Sequence, residues 1–219
     1  MSTECQKHYG EGRSTVRRLC VGLLVFNFLL LLIILVVWAA LRPHKPRFVL
    51  QDVTVYAFNA SVPNFLTTNI HVTISSRNPN HRMGVYYDKL DIYAIYRNQQ
   101  ITLRSSIPPS YQGHKEVDVW SPFVYGTAVP VAPFNSMALT QEQAAGTIFL
   151  MIKIDGRVRW KVGTFTSGRY HLYVKCPAYI IFPKSTATST STQVPATCGD
   201  GDGHCAVKLQ MAQKCSVAV

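Results

Sequence analysis

From Leu19 to Leu41 the chain reads LCVGLLVFNFLLLLIILVVWAAL, 23 residues without a charge and apolar on every face. Coiled as a helix at ~1.5 Å per residue it spans about 34 Å, enough for a hydrocarbon core of ~30 Å with some tilt. Arg17 and Arg18 precede it, Trp38 lies near its far end and Arg42 follows at once, the usual flanks of a membrane span. A cleaved secretory signal needs an apolar core of only ~7–15 residues and a small-x-small site, which Trp38-Ala39-Ala40-Leu41 offers poorly. The run predicts a retained anchor, in which Asn27 seeks a partner helix or is carried at small cost.

Beyond the anchor the pattern alternates. Ile70, Val72 and Ile74 interleave with His71, Thr73 and Ser75; Leu90, Ile92, Ala94 and Tyr96 with Asp91, Tyr93, Ile95 and Arg97. Val158, Trp160 and Val162 interleave with Arg157, Arg159 and Lys161, and Leu172, Val174 and Cys176 with His171, Tyr173 and Lys175. Period two places one face inward and one toward water, as in antiparallel strands. Turn signals stand at Asn78-Pro79-Asn80, Pro108-Pro109, Asp155-Gly156 and Thr166-Ser167-Gly168, the third predicting a two-residue hairpin. One short helix is predicted over 139–145, stopped by Gly146. Many short strands with one helix predict an all-β sandwich. The organisation expected is a basic tail (1–18), a transmembrane helix (19–41), a sandwich core (42–184), a flexible Ser/Thr/Gly-rich insertion (185–204) and a terminal edge strand (205–219).

Composition sharpens this. With 47% hydrophobic residues the chain is not disordered, and the charged share of 15% is low because of the anchor. The net charge is +11. Short-range basic residues barely set the orientation, since Lys7, Arg13, Arg17 and Arg18 face Arg42, Lys45 and Arg47 across the span. The sequon Asn59-Ala60-Ser61 and four cysteines (Cys176, Cys198, Cys205, Cys215) all follow the span, which favours a cytosolic N-terminus and an exported sandwich. Four cysteines are compatible with two disulfides of open connectivity. Cys20, at the membrane boundary, is a candidate acylation site.

Catalytic and metal chemistry find little footing. Gly163-Thr164-Phe165-Thr166-Ser167-Gly168 has phosphate-loop spacing, but Arg169-Tyr170 replaces the Lys-Ser/Thr pair and a strand follows instead of a helix. Asp200-Gly201-Asp202 lacks the third carboxylate of a calcium loop, and Met211 stands where its glutamate belongs. The expectation is no enzyme, no cofactor and no metal site. Basic residues are more informative. Arg157, Arg159 and Lys161 share one strand parity, and His171 and Lys175, with Arg169, share one on the next run, so both can form a cationic stripe on one sheet face. An exported stripe excludes nucleic acid and points to acidic wall polysaccharide or anionic lipid. Asn78-Pro79-Asn80 reads as a Pro-preset turn or as a recognition loop at the sandwich end. Phe65, Tyr86, Tyr93 and Trp160 are expected in the core.

The segments Asn78-Pro79-Asn80-His81-Arg82-Met83-Gly84-Val85-Tyr86-Tyr87-Asp88, Tyr111-Gln112-Gly113-His114-Lys115, Val158-Arg159-Trp160-Lys161-Val162-Gly163 and Ser167-Gly168-Arg169-Tyr170-His171-Leu172, with Cys176-Pro177, come in an order that resembles the plant NDR/HIN-like proteins. These are the non-race-specific disease resistance and harpin-induced homologues, with a late embryogenesis abundant group 2 domain. The resemblance covers nearly everything after residue 18. It implies a single-pass plasma-membrane protein with an Ig- or fibronectin-III-like β-sandwich, acting without catalysis in defence or stress responses through protein, wall or lipid contacts. A different reading is a lipid-binding or membrane-protecting stress module, with apolar ligand inside the sandwich. The insertion with Cys198 and Cys205 departs from the family pattern. Some relatives end in a lipid-anchor signal, a feature not expected here because Met211–Val219 is too short for one and carries Lys214.

Overall fold

The computed structural model describes residues 5–40, 44–61, 64–182, 207–208 and 212–219. They fall into two compact units, Met1–Pro43 and His44–Val219. In the first, α1 (Cys5–Ala40) contains the apolar run as far as Ala40, and Val16–Val36 is long and apolar enough to cross a membrane. Side chains 16–36 are all exposed, a surface suited to an apolar medium. Asn27 satisfies part of its amide on its own helix, donating from Nδ2 to the Leu23 carbonyl at 3.1 Å.

The second unit is a two-sheet β-sandwich. Its strands are β1 (Arg47–Ser61), β2 (Phe65–Arg77), β3 (Gly84–Tyr96), β4 (Gln99–Gln100), β5 (Ser105–Ile107), β6 (Ser110–Gln112), β7 (Val117–Trp120), β8 (Phe123–Pro130), β9 (Thr147–Val162), β10 (Phe165–Thr166), β11 (Tyr170–Ile181), β12 (Val207–Lys208), β13 (Gln213–Lys214) and β14 (Ser216–Ala218). The first sheet runs β12-β1-β2-β7, with β13 also on β1 and β8 also on β2. The second runs β14-β11-β9-β3-β4, with β10 on β9 and β5 and β6 on β3. Alternation decides which side faces in: Ile70, Val72 and Ile74 from β2 meet Leu90, Ile92, Ile152, Ile154, Leu172 and Val174 from the second sheet in one core. Each such side chain contributes about 1.5–3 kcal/mol by leaving water. Aromatic rings fill one end, Phe48 and Trp120 stacking at 6.3 Å and Tyr87 meeting Trp120 edge-on at 5.4 Å.

Several expectations change in detail. Asp155-Gly156 makes no hairpin, because β9 runs straight through it, with Gly156 opposite Leu90 on one side and Leu172 on the other. The β3–β9 register shifts between Tyr87 and Lys89, and a Cβ on Gly156 would come within 2.5 Å of the Lys89 carbonyl oxygen. The glycine answers a close approach. The reversal comes at Gly163, whose φ of 56° suits the tight turn into β10. The helix is longer than 139–145: α2 spans Pro133–Ala145, with Pro133 in its first turn and Gly146 as a left-handed cap. Trp160 is buried in the core, but Tyr93, though buried, lies on the outward face of β3 opposite Lys153, Phe65 is 40% exposed at the start of β2, and Tyr86 is half-buried on an outward face. The insertion, with Cys198 and Cys205, lies outside the described residues.

Asn78-Pro79-Asn80 turns the chain, and both amides are buried. Asn78 Nδ2 donates to the carbonyls of Met83 (2.7 Å) and Gly113 (2.9 Å), while its Oδ1 accepts from the Asn80 backbone N–H (3.0 Å) and Asn80 Nδ2 (2.9 Å). Asn80 then grips His44, accepting its N–H at 2.9 Å and donating to its carbonyl at 2.8 Å. The motif is a buried polar clamp on the first residue of the sandwich unit, so these two side chains are not an open recognition loop.

Candidate functional site

The outward side of the second sheet holds most of the singled-out cations. With Ile152, Ile154, Val158 and Trp160 buried, Lys153, Asp155, Arg157, Arg159 and Lys161 project outward from β9. Register sets Lys153 opposite Lys175, Asp155 opposite Tyr173 and Arg157 opposite His171 on β11. On β3 the same residues face Tyr93, Asp91 and Lys89, and Arg159 faces Tyr86. Arg157, Arg159, Lys161 and Lys175 therefore share a face, and Arg169 sits in the link just before β11.

That face is not a plain cationic stripe. Asp88, the extra residue of the β3 bulge, accepts from Arg159 Nε through both oxygens (3.0 and 2.8 Å) and from Nη2 at 2.5 Å. Arg169 approaches the same carboxylate at 3.4 Å. The Arg159 hydrogen bonds hold the Asp88 carboxyl below its ordinary value, against a smaller opposing effect of burial. Asp91 pairs with Lys89 at 2.9 Å. Asp155 accepts from the Tyr93 hydroxyl at 2.7 Å and pairs with Arg104 at 3.4 Å, whose guanidinium stacks 4.5 Å above the Tyr93 ring. Burial, followed by that hydrogen bond, raises the Tyr93 hydroxyl to about 12.

Arg157, Lys161, Lys153 and Lys175 have no carboxylate within 4 Å among the described residues. Lys161 instead lies 5.7 Å from the Tyr86 ring and 5.3 Å from that of Tyr111, and donates to the Tyr86 hydroxyl at 3.3 Å. Lys153 and Lys175 border a shallow depression of about 410 Å³ with Tyr93, Asp155, Tyr173 and Ser216. Sequence reasoning missed Lys153 and the three aspartates. Parity alone would have found Lys153 and Asp155, which continue the Arg157 series; Asp88 was hidden by the bulge.

Of the proposed disulfide cysteines, Cys176 and Cys215 are bonded, across a sequence separation of 39. The bond ties β11 to the terminal segment, which pairs with β1 through β13 and with β11 through β14. Cys20 is a free, exposed thiol on α1. Asn59 is exposed on β1, opposite Thr67. Among the described residues no three His, Cys, Asp or Glu side chains gather as metal ligands would.

The described residues comprise a candidate membrane span and a two-sheet sandwich with a charged outer face. The family model for late embryogenesis abundant protein (LEA_2) matches residues 73–176. The chain is 52% identical to NDR1/HIN1-like protein 1 of Arabidopsis thaliana over 99% of both chains. It is 53% identical to NDR1/HIN1-like protein 12 of the same plant, over 99% of this chain and 98% of the relative. The chain belongs to the NDR1/HIN1-like family. The solution structure of a late embryogenesis abundant protein is 16% identical with a TM-score of 0.33, covering 64% of this chain and 72% of that one.

Proposed function

We propose that this is a non-catalytic, single-pass plasma-membrane protein of plants, its N-terminus cytosolic and its sandwich in the apoplast, acting in defence or stress responses. The sandwich works by contact: with protein partners, acidic wall polysaccharide or lipid headgroups, and without nucleic acid, cofactor or metal. The observation that carries this reading is where the polar groups lie. They spread over an outer sheet face that can meet an extended surface, while packed side chains such as Phe48, Tyr87, Trp120 and Trp160 occupy the space between the sheets. That packing supports a contact module over a module that stores lipid inside.

Endoglycosidase treatment of the plant-expressed protein tests the topology, with Asn59→Gln as control and protease protection of intact membranes alongside. A mobility shift lost in the control, with a sandwich open to external protease, is the expected result. A sandwich protected in sealed, right-side-out vesicles would overturn the exported placement. Charge reversal of Arg157 and Lys161 then tests the face: salt-sensitive retention on acidic polymer should fall, and unchanged retention would remove this face as the contact.

A further inference from the structure

Two neighbouring cross-strand rows on the outward face of the second sheet build the shallow depression of about 410 Å³. Read from β14 through β11 and β9 to β3, one row is Ser216, Lys175, Lys153 and Tyr93. The next is Ala218, Tyr173, Asp155 and Asp91. Two residues along a strand separate them, ~6.8 Å. Space opens there because Ser216 and Ala218 are small where β11 carries Lys175 and Tyr173. The wall they form is fixed in place, since Cys215 and Cys176, the neighbours of Ser216 and Lys175, are joined by the disulfide.

The rows differ in what they leave unsatisfied. Lys153 and Lys175 stand directly opposite each other, so their Cβ atoms lie about 4.5–5.5 Å apart. Neither has a carboxylate within 4 Å among the described residues. Two ammonium groups side by side repel, and an anion between them relieves the repulsion. In the second row Asp155 is engaged through one oxygen, since the Tyr93 hydroxyl and Arg104 both approach Oδ2. Its Oδ1 accepts no hydrogen bond among the described residues and stays open to a donor. Asp91 is taken by Lys89. Of the two tyrosines, Tyr93 carries the Arg104 guanidinium over its ring, whereas Tyr173 is 48% exposed, its ring parallel to that of His171 at 6.0 Å.

A ligand that answers both rows carries an acid at one end, a hydroxyl donor at the other and an apolar surface between them. A phosphate or sulfate group brings acceptors that the Asp155 carboxylate repels. A neutral sugar leaves the two lysines facing each other. A uronate residue has all three parts on one ring: a carboxylate, hydroxyls on the far carbons, and a face of C–H groups of the kind that packs on an aromatic ring.

We propose that this depression is a subsite for one uronate residue of an acidic polysaccharide, with its carboxylate between Lys153 and Lys175, a ring hydroxyl donating to Asp155 Oδ1 and its C–H face against Tyr173. The assignment rests on the reading of the sandwich as an exported contact module and gives that face one chemical partner. Arg157 and Lys161 continue the same face, so the attraction of a long polyanion is shared along it while the choice of uronate is made at the two rows.

The test measures binding of the full chain, in phosphatidylcholine vesicles, to three polymers: de-esterified oligogalacturonate, its methyl ester, and dextran sulfate matched in charge. Wild type should prefer de-esterified oligogalacturonate to both others. Lys153→Gln and Lys175→Gln should each weaken that binding about tenfold, the scale of one charge-assisted hydrogen bond, and weaken dextran sulfate about twofold. Tyr173→Ala should weaken oligogalacturonate about threefold and leave dextran sulfate unchanged. Lys153→Gln removes a like-charge contact, so its urea midpoint should not fall, and lost binding is then not lost folding. Equal wild-type binding of dextran sulfate overturns the proposal in favour of a general polyanion surface, and equal binding of the methyl ester overturns the role of the carboxylate. Full affinity in both lysine variants, with the loss confined to Arg157→Gln and Lys161→Gln, overturns this subsite and leaves the contact reading standing. Failure of the wild type to bind any of the three overturns the acidic-polysaccharide contact itself.

Discussion

The two outer faces of the sandwich obey one rule of alternation and carry opposite chemistry. On the first sheet, outward positions of β1, β2, β7 and β8 hold Tyr56, His71, Thr73, Val117, Val119, Phe123 and Tyr125, with Lys, Arg, Asp and Glu confined to Arg47 and Arg77 at one end and Asp52. Its contacts are between neighbours, His71 against Phe123 at 4.6 Å and Tyr56 against Phe123 at 6.0 Å. On the second sheet, Lys89, Asp91, Lys153, Asp155, Arg157, Arg159, Lys161 and Lys175 crowd the equivalent positions. Packing dictates the inward residues of both sheets but not the outward ones. A charged face beside a neutral one is therefore not a demand of the fold.

The strongest way to break the comparison is to free the segment that borders both faces. The terminal residues pair with β1 of the first sheet and with β11 of the second, and the Cys176–Cys215 disulfide fastens them. Replacing both cysteines by Ala should cost about 2–4 kcal/mol in a urea titration, a loss that added reductant reproduces in the wild type and leaves unchanged in the variant. Next in size is Asn78→Ala, which leaves the Met83 and Gly113 carbonyls without their buried donor. A loss of about 2–3 kcal/mol is expected, with hydrogen exchange at 80–84 and 113–116 rising more than at β9.

These two sites also mark how far the sequence could be read. Alternation in β2, β9 and β11, and in β3 beyond its bulge, was visible because those runs keep period two across the core, and the sandwich follows from it. β1 was not, because bulges between Leu50 and Asp52 and between Val55 and Ala57 shift the period twice. Asp155-Gly156 has the local chemistry of a hairpin, but β3 and β11 pair with both its sides and hold it extended. At Asn78-Pro79-Asn80 the turn was legible from proline geometry; the clamp was not, since its partners His44 and Gly113 lie 36 and 35 residues away. The candidate face divides the same way. Parity grouped Arg157, Arg159 and Lys161 correctly, whereas the neutralisation of Arg159 and Arg169 depends on a bulged aspartate in another strand.

A third change sharpens the contrast by making the charged face more so. Asp88→Asn removes the carboxylate that Arg159 and Arg169 share. The two-pronged geometry makes a cost of about 1 kcal/mol at neutral pH reasonable, since the pair is partly exposed. Because the folded-state carboxyl lies below its unfolded value, its contribution is complete above the ordinary carboxylate pKa of about 4 and disappears as pH falls through the folded value. Stability curves of wild type and variant should thus converge in acid. Retention on acidic polymer should rise, with two guanidinium groups released. If polymer retention falls with stability, the face acts through its paired geometry instead of its free charge.

The smallest expected effect is the most discriminating. Lys153 and Lys175 stand directly opposite each other on adjacent strands, with no carboxylate within 4 Å of either among the described residues. Like charges in that position oppose folding, by a few tenths of a kcal/mol up to about 1 kcal/mol at low salt. Lys153→Glu should therefore stabilise the sandwich by about that amount, more at low ionic strength than at high, as a shift of the urea midpoint would report. Among the described residues no comparable like-charge pair sits on the outward face of the first sheet away from Arg47 and Arg77, so substitutions at Thr73 or Tyr125 should lack this salt dependence. If the same Lys153→Glu chain also loses retention on acidic polymer, the repulsion between the two lysines is a cost carried for binding. A variant that gains stability and keeps full retention would show that the pair has no such role.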